Sequence, residues 1–301
     1  MTLVLQGFVD LPAHAGGGFD HRDVHWASGT LYVAHTANDS IEIVDGRALR
    51  HLATVPDCLE ASGVLCAQEE GLVFAAAGGG GAVLVLPVGA TQPLRELRVG
   101  PRPNGLAWDP DRQCLLVADV GDRQARLLDV ETGGLIGVTA LPGRPRWCVF
   151  DQQSDRFLVN ILEPPCMVAL HAPSGQVEGT WRISSPGPHG LDLDVAGQRA
   201  FVACDSGAVI VLDLATGREL ASVPIAGEPD AIWYHPNRHL LYVAIGNPGV
   251  VDVIDCRALR VVEQVVTEAG AHTTAFDPGR DRLFVFLPRS GRAAIYDEQG
   301  G

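Results

Sequence analysis

Nowhere does the sequence hold an apolar run approaching the roughly 20 residues needed to cross a bilayer, which excludes a helical membrane span. It also lacks a basic cluster: 22 Lys and Arg stand against 36 Asp and Glu, for a net charge of −14 over 301 residues. Phosphate affinity needs a cationic surface, so nucleic acid is not an expected partner. The opening residues, Met1 to Asp10, alternate like a strand and show no charged segment followed by an apolar one, so no signal peptide is read there. None of the seven cysteines (58, 66, 114, 148, 166, 204, 256) forms a CxxC pair, which excludes a zinc knuckle and argues against a disulfide framework. Most sit in apolar runs such as Phe201-Val-Ala-Cys204 and read as reduced core residues, with the cytoplasm as the expected location. Long stretches of helical period are missing too, yet 47% of the chain is apolar, too much for disorder.

What the chain does have is repetition. Pro103-Asn-Gly-Leu-Ala-Trp-Asp-Pro110 matches Pro188-His-Gly-Leu-Asp-Leu-Asp194, Pro229-Asp-Ala-Ile-Trp-Tyr-His-Pro236 and Ala271-His-Thr-Thr-Ala-Phe-Asp-Pro278. Each is followed by a β-rich run, such as Leu115-Leu-Val-Ala118 or Leu241-Tyr-Val-Ala244, and then by a run ending in Asp, such as Val251-Asp-Val-Ile-Asp255. Diverged copies around Leu31-Tyr-Val-Ala34, Leu72-Val-Phe-Ala75 and Phe157-Leu-Val-Asn160 fill the remainder. One equivalent position per copy emerges: His21, Ser62, Asn104, Arg146, His189, Asp230 and His272, at intervals of 41, 42, 42, 43, 41 and 42. Short strands divided by Gly, Pro and Asp turns at this period predict an all-β, seven-bladed β-propeller with four strands per blade. It forms a single domain over 1–301, with blades starting near 19, 60, 102, 144, 187, 228 and 270. The last copy has room for only three strands, so residues 2–10 are expected to close it as the outer strand, which removes an exposed edge.

These signatures resemble the YVTN-repeat (YncE-like) seven-bladed β-propellers, and the resemblance covers essentially the whole chain. The architecture is also similar to that of lactonase and streptogramin lyase propellers, muconate-cyclising enzymes, and propellers that only bind. Oligogalacturonate lyases of this architecture hold a divalent metal with a histidine cluster. The resemblance therefore implies the fold, and leaves both catalytic and binding roles open.

The seven equivalent residues are expected to ring one mouth of the central channel, because each belongs to the loop entering a blade. Consecutive blades five, six, seven and one then bring His189, Asp230, His272 and His21 together. Three imidazoles and a carboxylate suit Zn, Mn, Fe or Ni, with His21, His189, His272 and Asp230 as ligands. The same group without metal is an acid–base set, with Asp230, His189 and His272 in catalytic roles. The alternative is that these polar residues satisfy loop amides and ordered channel water. Asn104, Arg146 and Trp147, with Arg102 and Arg144 in the same loops, suit an anionic small-molecule substrate, since guanidinium binds carboxylate bidentately. His35 and Asp119 end second strands where most blades have apolar residues, and are expected to add to the mouth. Asp192 faces the channel wall, while His25 and His235 lie at the opposite end and read as structural. Ser62 lacks a neighbouring base and is not expected to be a nucleophile. Gly78-Gly-Gly-Gly81 lacks the ending of a phosphate loop, so no nucleotide cofactor is expected.

The functional expectation is a soluble enzyme using a divalent metal on a small anionic molecule, as a lyase, a lactone hydrolase or a metal-assisted oxidase. The alternative is a non-catalytic propeller that binds a small ligand or a partner protein. A third option is a periplasmic relative lacking its leader.

Overall fold

In a computed structural model, which describes residues 2–299, the chain forms seven antiparallel sheets of four strands each. Blades one to six run inner to outer in chain order, beginning with Arg22–His25, Ala61–Ala67, Pro103–Asp109, Pro145–Asp151, Pro188–Asp194 and Glu228–His235. The first strands of successive blades lie side by side around the axis. In blade seven the order is Thr274–Asp277, Arg282–Leu287, Arg292–Gln299 and then Thr2–Asp10. The N-terminal strand thus closes the ring, with Leu5 opposite Tyr296 and Phe8 opposite Ala294, and a bulge between Leu5 and Gly7.

Both faces of each blade are buried against its neighbours, so strands near the axis read as continuous apolar runs rather than alternating ones. Leu31 to Ala34 and Leu241 to Ile245 are buried at every residue. The core accordingly falls into seven clusters, one in each interval between blades. The free thiols are all buried in it.

The repeated glycine after the ring position has a steric cause. A Cβ on Gly63 would sit 2.1 Å from the Asn104 carbonyl oxygen, on Gly105 2.7 Å from that of Arg146, and on Gly190 2.2 Å from that of Asp230. Each glycine lets the next blade's ring residue press its backbone against the strand. In blades one and seven the inner strands begin after the ring position. The His21 amide instead donates to the Ser62 carbonyl at 3.0 Å, and its carbonyl accepts from Ala34 at 2.9 Å.

Leu3 and Val9 are the buried contacts of the N-terminal strand. Deleting residues 2–10 removes them and strips the outer partner from Arg292–Gln299. The expected result is a melting temperature lower by several degrees and concentration-dependent aggregation, read by thermal scanning with light scattering.

Candidate functional site

Seven inner strands converging on one axis leave a cavity of about 490 Å³ at the mouth where the ring residues lie. One arc of its wall carries His189, Asp230 and His272, with Asp20 and His21 beside them; the facing arc carries Asn104, Arg144 and Arg146. Asp230 bridges two imidazoles: its Oδ2 lies 2.5 Å from His272 Nδ1 and its Oδ1 3.2 Å from His189 Nε2. The other nitrogen of His189, Nδ1, lies 2.9 Å from Asp205 Oδ1. Arg146 Nη2 approaches the same carboxylate at 3.7 Å. The result is a chain, Asp205–His189–Asp230–His272, set along the edge of the cavity. His272 is the member that meets solvent, with 41% of its side chain exposed.

The charges follow from that chain. Burial pushes the Asp230 carboxyl up, but the His189 and His272 imidazoles outweigh it and hold the group well below the ordinary range. His272 is raised above its ordinary value, chiefly by its hydrogen bond to Asp230 and against the pull of burial. Asp20 behaves oppositely: burial, reinforced by the Asp230 charge, lifts it to about 7. His21 is lowered to about 3 by burial and by the Arg22 guanidinium, so it is neutral.

The structure gathers some sequence candidates and separates others. His189, Asp230 and His272 meet directly. His21 shares the cavity wall but does not join the hydrogen-bonded chain; its ring stacks on Trp147 at 4.3 Å, with Nε2 3.6 Å from Asp20 Oδ1. The expected four-ligand set around one point is thus a hydrogen-bonded row of three with a stacked fourth. Asn104 and Arg146 line the cavity as expected. Ser62, whose hydroxyl donates to the Pro103 carbonyl at 2.8 Å, ties neighbouring blades.

His35 and Asp119 do not reach the mouth, and this corrects the expectation for both. Each is 0% exposed. His35 donates Nδ1–H to Glu42 at 3.0 Å and contacts His14 through Nε2 at 2.8 Å, packed beside Phe19. Asp119 accepts the backbone N–H groups of Arg102, Gly121 and Asp122 and pairs with Arg126 at 3.3 Å, which knits the loops leaving blade three. A polar residue at a second-strand end looks inward between blades here, so its polarity served a buried network.

Two participants escaped the sequence reading. Asp205, one residue past the second strand of blade five, carries no sequence signal that marks it as the orienter of His189. Asp20 had a visible signal: one residue before the ring position the other copies carry Ala61, Pro103, Pro145, Pro188, Pro229 and Ala271. A carboxylate in a column of alanine and proline stands out.

Elsewhere, His235, Asp281 and Glu298 form a group whose donor atoms lie close enough for an ion. Arg238 already occupies that position, with Nη2 2.5 Å from Asp281 and Nε 2.6 Å from Glu298. His25 and His235 therefore act as structural residues, His25 through Ser28 and the Gln68 carbonyl.

The buried row behind His35 yields a pH prediction. Burial raises the Glu42 carboxyl, but donors from His35, Thr54, Ser40 and His51 dominate and bring it to about 2, below its usual 4.5. Its contribution is present above pH 4.5 and is lost as pH falls toward 2. Glu42→Gln is expected to lower stability at neutral pH by about 3 kcal/mol, because the donors lose a charged acceptor. It should also flatten the acid limb of denaturant-unfolding measurements across that window.

No family model matches the chain. A stretch of 97 residues, 32% of the chain, is 36% identical to the uncharacterized protein YncE of Salmonella typhi and spans 27% of that protein. The structure is similar to that of Kuenenia stuttgartiensis hydrazine synthase, with a TM-score of 0.83 over 96% of each chain at 16% identity, a likeness of fold. The seven four-stranded blades make the fold a β-propeller, and the sequence likeness to YncE is confined to that one stretch.

Proposed function

We propose that the mouth is an acid–base site acting on a small anionic molecule. The observation that carries this reading is the 2.5 Å contact between His272 Nδ1 and Asp230, made by a half-exposed imidazole at the cavity edge. A carboxylate that fixes Nδ1–H leaves Nε2 as the nitrogen that exchanges a proton with substrate. Asp20, with its carboxyl near 7, retains a proton that ionised Asp230 has lost, and two carboxyls pushed apart in this way divide acid and base roles. Arg144 and Arg146 on the facing arc supply the countercharge for an anionic group, with Asn104 as a neutral donor. Proton abstraction followed by elimination, or opening of a lactone by activated water, fits these roles. The similar fold of hydrazine synthase is that of an enzyme, and nothing of its reaction is carried over.

A metal-assisted form of the same reading has one observation in its favour. His189 faces Asp205 through Nδ1 and Asp230 through Nε2, and a carboxylate on Nδ1 is the arrangement that steadies a metal-binding imidazole. His189, His272 and Asp230 would hold a divalent Zn, Mn, Fe or Ni ion once their mutual hydrogen bonds gave way, and His21 would complete the set by leaving Trp147. Such an ion would supply Lewis-acid activation of the substrate.

The test is a panel of small carboxylates and lactones followed by mass spectrometry, with wild type, His272→Gln and Asp230→Asn compared. Turnover is expected to fall by about 10²–10⁴-fold in both variants. The pKa of His272, followed by NMR, should drop in Asp230→Asn whatever the substrate. Activity lost to a chelator and restored by one ion selects the metal form. Anions that bind without being consumed, or full turnover in His272→Gln, overturn the catalytic reading in favour of a binding propeller.

A further inference from the structure

The far end of the channel opens into a second cavity of about 620 Å³, formed where the inner strands of blades one to six end. Four of the five tryptophans, Trp26, Trp108, Trp147 and Trp233, lie on its wall. Its depth already holds a cation between aromatic faces: the Arg22 guanidinium lies 5.0 Å from the Trp147 ring and 5.1 Å from that of Trp233. Among the described residues Arg22 is the one cationic side chain on this wall, beside neutral His21 and against the carboxylates Asp23, Glu69, Glu70, Asp111 and Asp192.

These acids divide into two groups. Asp23 accepts the amides of Val24 and Cys66, and Asp192 those of Leu193 and Tyr234, so each staples the inner strand of its own blade to that of the next. The rim acids are not used in that way. Glu69 is exposed, Asp111 accepts only from Gln152 at 3.2 Å, and Glu70 accepts from Gln113 through Oε1 while its Oε2 is buried without a partner. Between rim and depth the wall is apolar, with Val149, Phe150 and Leu193 half-buried. Two donor atoms of residues on this wall are closed off from solvent and lack acceptors, Nη2 of the buried Arg22 and the indole N–H of the buried Trp108.

We propose that this cavity binds a small organic cation with an aromatic or apolar body and an oxygen acceptor at its inner end. The ammonium group sits at the rim among Glu69, Glu70 and Asp111, where Trp26 offers a cation–π face. The body lies on Val149, Phe150 and Leu193, and its oxygen answers the unpartnered donors. Charge distinguishes this site from the other mouth, whose facing arc carries arginines.

The probe is tyramine, compared with its neutral analogue tyrosol and its anionic analogue 3-(4-hydroxyphenyl)propionate, by calorimetry in low and high salt. Tryptophan fluorescence reports whether the ligand reaches this end. Tyramine is expected to bind about fivefold or more tighter than tyrosol, with the anion weakest, and the preference should shrink as salt screens the rim. Glu69→Gln with Asp111→Asn, both exposed and harmless to folding, should bring tyramine close to tyrosol. Phenethylamine, which lacks the phenol oxygen, should bind more weakly than tyramine. Equal or tighter binding of the anion, a preference that survives the double variant, or no binding of any analogue overturns the proposal.

Discussion

Everything near the axis depends on how closely seven inner strands can approach one another. They form no ladder with one another, so single amides, carbonyls and side chains of one strand meet the next, and the limiting dimension is a Cβ. At Gly63, Gly105 and Gly190 that atom is missing, and the ring residue of the next blade brings its carbonyl within what would be clashing distance. Side chains add to the tie, whether or not a glycine stands there. Asn160 Nδ2 donates to the carbonyls of His189 and Gly190, and the staples from Asp23 and Asp192 satisfy amides that no ladder reaches. The same close approach holds Asp230 between His189 and His272, since the Asp230 backbone is fixed against Gly190 and the His272 carbonyl accepts from Ala231.

This accounts for what the sequence could and could not show. The period, the Pro-x-Gly openings and the spare strand at the N-terminus were legible because each reports a backbone requirement that recurs in every blade. The meeting of His189, Asp230 and His272 was legible for the same reason, as one column of the repeat. Rotamers are not set by the repeat. The stacking of His21 on Trp147 arises from a neighbour in another blade, and the turn of His189 toward Asp205 from the loop after its own blade's second strand, and a column displays neither. His35 and Asp119 misled because both faces of a second strand are buried, so a polar break there marks an internal hydrogen-bond network as readily as an opening. Asp20 could have been found by reading the column one residue earlier.

The two ends of the channel differ in charge although the chain as a whole is acidic. With no lysine present, all 22 basic residues are arginines, whose planar, weakly hydrated heads tolerate stacking and partial burial. Arg22 shows the consequence. Lodged between two indoles, it remains cationic although burial lowers its guanidinium to about 10. A lysine there would have to give up its stronger hydration, and would lose the flat contact with both rings.

Arg22 is also what couples the halves of the channel. Its charge opposes protonation of His21 on one side and favours the ionised forms of Asp20 and Asp23 around it, so a single buried cation biases titrating groups that face both cavities. The Trp147 ring takes part in the same junction, stacked on His21 and lying over Arg22. Any ligand that moves Trp147 from the far side must therefore disturb the contact that keeps His21 away from the Asp205–His189–Asp230–His272 row. Linkage would make such an effect reciprocal: a ligand of one cavity that changes the affinity of the other for its own ligand is itself affected by the same factor.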